Sequence, residues 1–268
     1  MSASENLKPK IVTLSAVEVT NQQSQINNQQ SSWYESWFDT KYYHILYKER
    51  NYREAQIFMD NLTQYLNLPE KAKVLDLACG KGRHSIYLNQ LGYNVIGADL
   101  SENSIAEAKK NENETLHFVV HDKREPFEEK FDAIFNLFTS FGYFENEEDD
   151  IKTLTAIKNS LSEYGFAVID FMNSNYVIEN LVENEVKEVE GITFYIKKYF
   201  LDGYIIKEID FEDDGKKHHY VEKVRAFTLE DFQRMFDQVG LYLLDIFGDY
   251  KLKKYYKNTS ERLIMIFK

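Results

Sequence analysis

The residues with the clearest chemical potential form a glycine-containing turn after a short apolar segment. The sequence VLDLACGKGRHS occupies residues 74–85. Gly80 and Gly82 allow positive φ angles, and the helix that begins after them offers unpaired backbone N–H groups, so a ligand could lie against bare backbone. The pattern departs from the dinucleotide fingerprint, because Ser85 stands where that fingerprint has its third Gly or Ala. This departure weakens the prediction of a pyrophosphate ligand.

Three aspartates raise the chemical specificity of this turn. Asp76 precedes the turn, Asp99 ends the second predicted strand and Asp122 ends the third. A carboxylate in the place of Asp99 accepts hydrogen bonds from both hydroxyls of a ribose, and Asp122 could accept one from the exocyclic amine of adenine. Asp76 would repel a pyrophosphate but attract an ammonium or sulfonium group. Together the three residues predict an adenosine that carries a positive charge.

The elements that must position these residues alternate between strand and helix. Short apolar runs predict strands, and apolar residues at helical spacing predict helices between them. The predicted strands are residues 73–78, 94–99, 116–120, 133–138 and 166–171, and the predicted helices are residues 84–91, 104–110 and 151–161. Such alternation indicates an α/β fold with parallel strands, right-handed crossovers and helices on both faces of the sheet.

Different patterns flank this core. Residues 1–32 are rich in Asn and Gln, which predicts a flexible tail. Residues 33–68 are rich in aromatic side chains and predict two helices that cover the core. Residues 186–225 alternate apolar with polar side chains and contain Asp-Gly turn signals, which predicts an antiparallel insertion of three or four strands. Residues 228–268 predict a closing helix and two strands.

These motifs resemble those of the class I (Rossmann-like) S-adenosylmethionine-dependent methyltransferases. The resemblance rests on VLDLACGKGRHS at 74–85, VIGADLS at 95–101, Asp122 within VVHDKREPF, and FDAIFNLFTSFGYF at 131–144. It is strongest over residues 70–172, the cofactor-binding half, and extends through the closing elements, so that residues 33–268 would form one methyltransferase domain. The resemblance implies a doubly wound, mostly parallel seven-stranded sheet with an antiparallel last strand.

The resemblance also implies which residues bind S-adenosylmethionine. It assigns Asp76, Ala78 and Gly80 to the methionine part, Asp99 to the ribose, Leu100 to the adenine face, Asp122 and Lys123 to the adenine edge, and Asn136 to the amino group through its backbone. Cys79, Gly82 and Ser101 lie in the same motifs and are expected to line the cofactor site, and we add Tyr42 of the cover as a further candidate for cofactor binding. Cys79 stands where this family varies, so it is not a sign of thiol chemistry. Tyr42 and Tyr43, with Lys48 or Arg53 nearby, could cover the open side of the cofactor.

The methyl acceptor is expected beyond the ends of the fourth and fifth strands, because open α/β sheets bind substrates there. The candidates are Tyr43, Phe138, Thr139, Ser140, Tyr143 and Asn173. Displacement at a sulfonium methyl has an activated leaving group, so alignment and desolvation can supply most of the acceleration. A general base is required only for an acceptor that arrives protonated, and no catalytic residue is assigned. His84 and His121 are interpreted as structural.

Composition excludes several classes of protein and partner. The chain has 268 residues and a net charge of −12, so a nucleic-acid backbone would meet a repulsive average field. A single cysteine argues against disulfides and a cysteine-built metal site, and points to a reducing compartment. No apolar window is long enough to span a membrane. We therefore expect a cytoplasmic monomer or homodimer that methylates a small molecule and binds neither metal, membrane nor nucleic acid.

Three alternatives stay open at this point. A nicotinamide-dependent oxidoreductase would use the same strand, turn and helix, although Asp76, Asp122 and the missing third glycine argue against it. A non-catalytic nucleoside-binding module would keep the pocket without turnover. An RNA methyltransferase would need a local basic patch, for which residues 250–257, with four lysines among three tyrosines, are the candidate.

Overall fold

The structure, a computed structural model, describes residues 32–48 and 52–268. Among these residues, three helices precede the first strand. They are α1 (Trp33–Trp37), α2 (Lys41–Leu46) and α3 (Tyr52–Leu66). The sequence predicted two helices here. The cover divides because Thr40 starts a new helix, and its side chain accepts a hydrogen bond from the backbone N–H of Tyr43. The predicted flexible tail lies, except for Ser32, outside the described residues.

The described residues form eleven strands in two sheets. The strands are β1 (Lys73–Leu77), β2 (Asn94–Asp99), β3 (Leu116–Val120), β4 (Phe131–Asn136), β5 (Leu161–Met172), β6 (Asn184–Val189), β7 (Ile192–Leu201), β8 (Tyr204–Asp213), β9 (Lys216–Arg225), β10 (Leu243–Phe247) and β11 (Arg262–Phe267). The main sheet has the order β3-β2-β1-β4-β5-β11-β10, and β11 pairs antiparallel with both of its neighbours while β1 to β5 are parallel. The predicted fold class is confirmed.

The described part of the chain has five further α-helices and one 3₁₀ turn at Lys109–Asn111. The α-helices are α4 (Arg83–Gln90), α5 (Glu102–Ala108), α6 (Glu147–Ser160), α7 (Ser174–Glu179) and α8 (Leu229–Val239). Alternate residues of β1 bury opposite faces of the main sheet, because successive strand side chains point to opposite sides. Leu75 belongs to one apolar cluster, with side chains of α6 and α8, and Val74 to a second cluster, with side chains of α3, α4 and α5. No helix among the described residues is long and apolar enough to cross a membrane.

The inserted sheet is antiparallel, in the order β6-β7-β8-β9, and it carries a third apolar cluster. In this cluster Trp37 and Leu46, both 1% exposed, pack with Phe194, Ile196 and Ile209 of the sheet. The first two helices therefore belong to the inserted sheet, whereas α3 packs on the main sheet. We call residues 33–48 and 184–225 together the cap.

Candidate active site

The turn between β1 and α4 has a left-handed backbone at three positions. The φ angles are 65° at Ala78, 57° at Gly80 and 75° at Gly82. A Cβ added to Gly80 would meet no described atom within 4 Å beyond its chain neighbours, so the space in front of this residue is open. A Cβ on Gly82 would lie 2.3 Å from the ring of Phe118. Gly80 thus leaves room for a ligand, whereas Gly82 lacks a side chain because α4 packs closely on β3.

Asp76 lies buried behind the turn and is 2% exposed. Its Oδ2 accepts a hydrogen bond of 2.6 Å from the hydroxyl of Ser85 in the first turn of α4. Burial raises the pKa of the Asp76 carboxyl from 3.8 to about 6, although the hydroxyl of Ser85 favours the charged form. The serine that departs from the dinucleotide fingerprint therefore partners the aspartate that precedes the turn.

Asp99, at the end of β2, joins two loops through its carboxylate. One oxygen accepts a hydrogen bond of 2.8 Å from the backbone N–H of Gly80, and the other accepts one of 2.9 Å from the N–H of Ser101. Burial raises the pKa of Asp99 despite these two donors. Leu100 follows it with 43% of its surface exposed. The carboxylate of Asp99 thus lies beside Gly80, and an exposed apolar side chain follows it in the chain.

The side chains of Asp122 and Lys123 make contacts within the protein. Asp122 accepts hydrogen bonds of 3.0 and 2.5 Å from the guanidinium of Arg124, which also pairs with Asp149. Burial opposes ionisation of Asp122, but the bonds from Arg124 outweigh it and lower the pKa of the carboxyl. Lys123 donates a hydrogen bond of 2.7 Å to the carbonyl of Ser140, and burial lowers the pKa of this ammonium to about 8. The adenine edge predicted here would therefore be formed by main-chain atoms and by the remaining lone pairs of Asp122.

The loop after β4 starts with a strained backbone. Phe138 and Thr139 have φ angles of 56° and 62°, which non-glycine residues rarely adopt. The fully buried Asp170 holds this conformation, since its carboxylate accepts a hydrogen bond of 2.8 Å from the N–H of Phe138 and its carbonyl accepts one of 2.9 Å from that of Thr139. Arg262 donates to the carboxylate of Asp170 at 2.7 Å and to the hydroxyl of Thr139 at 3.0 Å. Strain of this kind is typical of functional sites.

The side chains of this loop point in two directions. The ring of Phe138 stacks on His84, with 4.5 Å between ring centroids, and Ser140 donates a hydrogen bond of 2.8 Å to the carbonyl of Leu137. The ring of Tyr143 contacts Trp33 at 5.0 Å and Phe38 at 5.6 Å in the cap. Phe38 in turn contacts Tyr43 at 4.8 Å. An aromatic wall, formed by Trp33, Phe38, Tyr43 and Tyr143, thus joins the loop after β4 to the cap.

Two asparagines at strand ends differ in how their amides are used. Asn136, 1% exposed, donates to the carbonyl of Leu77 at 3.0 Å, and its Oδ1 is buried without a hydrogen-bond partner among the described residues. Asn173, also 1% exposed, donates to the carbonyls of Lys257 and Ser260. The amide of Asn173 is therefore committed to holding the loop between β10 and β11.

Tyr42 differs from its prediction as a cofactor-binding residue. Its hydroxyl donates to Asp213 at 2.9 Å, and its ring packs on Phe211 at a centroid distance of 4.5 Å. These partners lie at the end of the inserted sheet formed by the β8–β9 turn, so the structure directs Tyr42 toward the sheet while Tyr43 joins the aromatic wall. Successive helical residues point about 100° apart, so the two tyrosines of α2 point in different directions.

Sequence reasoning missed three residues that shape the site. Ser85 was treated only as a departure from a fingerprint. It lies nine residues after Asp76, within the same strand–turn–helix unit, and this spacing was the available signal of their contact. Asp170 is a carboxylate within an apolar strand, which is a signal of a buried charge that requires a partner. Arg262 is that partner, but it lies 92 residues further along the chain, and sequence alone gives no sign of the pairing.

The strand order, the glycine turn and the carboxylate at the end of β2 together define a Rossmann-like nucleoside-binding domain of the methyltransferase type. The chain matches the family model described as "Methyltransferase domain" over residues 74–165. The match and the relatives named as methyltransferases support an enzyme that is an S-adenosylmethionine-dependent methyltransferase, with S-adenosylmethionine as its cofactor. The predicted family and enzyme class are confirmed.

Similar proteins extend this likeness beyond the matched domain. A glycine/sarcosine N-methyltransferase of Aphanothece halophytica is 25% identical in an alignment of 267 positions that covers 94% of each chain. The enzyme of the same name from Halorhodospira halochloris is 27% identical over 201 residues, covering 72% of this chain and 74% of that protein. The crystal structure of an S-adenosylmethionine-dependent methyltransferase from Clostridium acetobutylicum superposes with a TM-score of 0.72 at 23% identity, covering 93% of this chain and 98% of that one.

The residues present fit a cationic nucleoside. Around the turn, the described residues offer open space at Gly80, a buried carboxylate at Asp76 and the Oδ1 of Asn136, which has no hydrogen-bond partner among those residues. Such groups favour an ammonium and a sulfonium over a pyrophosphate. S-adenosylmethionine supplies a methyl group that is already activated for displacement. The chain then needs to orient the acceptor and exclude water, which the loop after β4 and the cap can do.

Proposed function

We propose that this methyltransferase acts on the nitrogen of a small-molecule amine. The observation that carries the proposal is the aromatic wall, in which Tyr143 on the loop after β4 meets Trp33 and Phe38 of the cap. Aromatic faces attract ammonium groups, and amine acceptors and their methylated products carry such a charge. The relatives named glycine/sarcosine N-methyltransferases, one of them alignable over 94% of this chain, support an amine acceptor.

The residue assignment within this proposal follows the geometry. Asp99 would bind the ribose and Leu100 the adenine face, whereas Asp76, Gly80 and Asn136 would surround the methionine part. Thr139, Ser140, Tyr143 and Tyr43 would face the acceptor, and Phe138 would support the turn by packing on His84. Among the described residues, no group of three His, Cys, Asp or Glu side chains is arranged to hold a metal ion.

A small acceptor also suits the surface and the cap. The net charge of −12 disfavours an RNA substrate, and the inserted sheet with α1 and α2 gives the acceptor side walls that a flat nucleic-acid site does not need. In the patch at residues 250–257, Lys253 pairs with Asp249 and Lys257 with Glu230, which reduces its basic potential. The single cysteine, which is buried, supports a cytoplasmic location as part of the proposal.

The experiment that tests this proposal offers matched acceptors to the enzyme. The purified chain is incubated with methyl-labelled S-adenosylmethionine and with glycine, sarcosine or an amino sugar, and in parallel with glycolate, the unmodified sugar or RNA. We expect label only in the amines, with a rate that rises with pH as the acceptor ammonium loses its proton. Label confined to hydroxyl acceptors or RNA would overturn the amine assignment, and cofactor binding without any product would indicate a non-catalytic module.

A further inference from the structure

The cap is held together by buried and polar contacts between its helices and its sheet. The indole N–H of Trp37 and the hydroxyl of Tyr47 both donate to Glu222, at 2.8 and 2.7 Å. The ammonium of Lys187 donates to the carbonyl of Leu46 at 3.1 Å, and the third apolar cluster fills the space between helices and sheet. The helices α1 and α2 and the inserted sheet are therefore expected to move as one unit.

Asp39 joins this unit to the cofactor-binding half. It lies in the turn between α1 and α2, and its carboxylate accepts hydrogen bonds from the hydroxyl of Ser101 and, at 3.2 Å, from the amide of Asn103. The backbone N–H of Ser101 donates to Asp99 at 2.9 Å. Ser101 therefore lies between two carboxylates, one from the cap and one from the end of β2.

The contact that Asp39 makes outside the cap differs in strength from the contacts within the cap. Asp39 and Ser101 are half-buried and Asn103 is exposed, whereas Trp37 and Leu46 are almost fully buried. Partly solvated hydrogen bonds are replaced by water at low cost, whereas separating a buried apolar cluster is expensive. The turn at Asp39 is thus the place where the cap can detach from the ribose side while staying intact.

We propose that Asp39 is a positioning residue that retains the cofactor by fastening the cap to the loop after β2. It acts through Ser101 and Asn103, and its negative charge adds to the potential that favours a cationic nucleoside. The inference rests on the cofactor of the family and is independent of which acceptor is methylated. Loss of Asp39 should therefore speed release of the cofactor without weakening the cap itself.

The test measures release of S-adenosylhomocysteine from the full chain by stopped-flow displacement. We expect Asp39→Ala to raise the dissociation rate about tenfold, which corresponds to about 1.4 kcal/mol, and Asp39→Asn, which keeps an acceptor oxygen, to raise it less. Asn103→Ala should raise the dissociation rate modestly. The double variant Asp39→Ala/Asn103→Ala should release the cofactor at nearly the rate of Asp39→Ala, because both substitutions remove the same contact. The melting temperature is recorded with and without S-adenosylhomocysteine.

Asp213→Ala is the matched control, because Asp213 also binds a cap helix, through Lys41 at 3.0 Å, but at the far end of the inserted sheet. The control should leave the dissociation rate within about twofold of the unchanged protein. Equal rates in Asp39→Ala and in the unchanged protein, or equal increases in both variants, would overturn the proposal. These outcomes are read from cofactor release alone, so failure of the amine assignment is seen separately, as normal binding with no methylated amine.

Discussion

Ser85 and Asp76 show how a single hydroxyl adapts the glycine turn to its ligand. The hydroxyl of Ser85 is fully buried against the carboxylate of Asp76, and a Cβ on Gly97 would lie 2.7 Å from it. A glycine or alanine in place of Ser85 would leave the carboxylate without this donor, which a buried charge tolerates poorly. The serine therefore keeps a negative group behind the turn.

We predict that Asp76→Asn stabilises the protein without ligand but weakens cofactor binding. The pKa of Asp76 is raised by burial from 3.8 to about 6, so the protonated form stabilises the fold below pH 3.8 and this contribution is lost as the pH rises through 6. The variant should match the unchanged protein near pH 4 and exceed it at pH 8, by on the order of 2 kcal/mol in urea unfolding. Equal stability of the two proteins at pH 8 would contradict the account.

We also predict that Ala78→Gly stabilises the chain. Ala78 has a φ of 65°, a conformation that costs an alanine about 1–2 kcal/mol, whereas glycine adds about 0.4–1 kcal/mol of unfolded-state entropy. The expected net gain in the free energy of unfolding is about 0.5–1 kcal/mol.

Gly80→Ala is the opposite change at a similar φ of 57°. It should lower stability and occupy the open space, and so reduce the affinity for S-adenosylhomocysteine.

At the scale of elements, β11 pairs with β5 and supplies a side chain that stabilises the loop after β4. Arg262, the first residue of β11, reaches the carboxylate of Asp170 and the hydroxyl of Thr139. Burial raises the pKa of Asp170, and the guanidinium opposes this shift by favouring the charged form. The strained turn at Phe138 therefore depends on the guanidinium of Arg262, which stabilises the carboxylate that binds this turn.

We predict that Arg262→Met destabilises the protein by about 3–5 kcal/mol, because it leaves the Asp170 carboxylate buried and unpaired. Adding Asp170→Asn should recover most of this loss, since an asparagine oxygen can still accept from the N–H of Phe138. Both variants are compared by denaturant unfolding. If the double variant is as unstable as the single one, the guanidinium acts through packing and not through charge.

The parts of the site that depend on local sequence patterns could be predicted, whereas those that depend on tertiary contacts could not. The turn at residues 74–85 and the parallel strands are local patterns, so spacing and hydrophobic periodicity predicted them. The contact of Arg262 with Asp170 depends on which strands become neighbours, which is a tertiary property. Tyr42 was assigned by residue type, but the face of α2 that it occupies is decided by the inserted sheet. The binding roles themselves stay predictions.

At the scale of the molecule, the chain combines a main sheet that carries two apolar clusters with a cap that has its own. Glu222 links the two parts of the cap, because it accepts from Trp37 and Tyr47, and its carboxylate lies 3.7 Å from the ammonium of Lys207. Both members of this ion pair are only 16% exposed, so the pair is largely shielded from solvent. Removal of the Glu222 carboxylate should therefore destabilise the cap before the main sheet.

We predict that Glu222→Ala accelerates hydrogen exchange in residues 33–47 and 216–225 while leaving β1 to β5 unchanged. Removing the acceptor leaves buried donors unsatisfied, at a cost of about 1–3 kcal/mol, and this cost falls on the local opening of the cap. Exchange is followed by mass spectrometry, with Glu222→Gln as the control that keeps an acceptor oxygen. Faster exchange of equal size in the main sheet would show that the cap is not an independent unit.

The most direct test of the whole account is the affinity of Asp99→Ala for S-adenosylhomocysteine, measured by calorimetry. Asp132→Ala serves as the control, since Asp132 lies at the amino end of β4, whereas Asp99 lies at the carboxyl end of β2, and its carboxylate accepts a hydrogen bond from the N–H of Lys73. The account predicts a loss of about 100-fold for Asp99→Ala, the value of two hydrogen bonds to a charged group, and no loss for the control. Undiminished affinity in Asp99→Ala would contradict it.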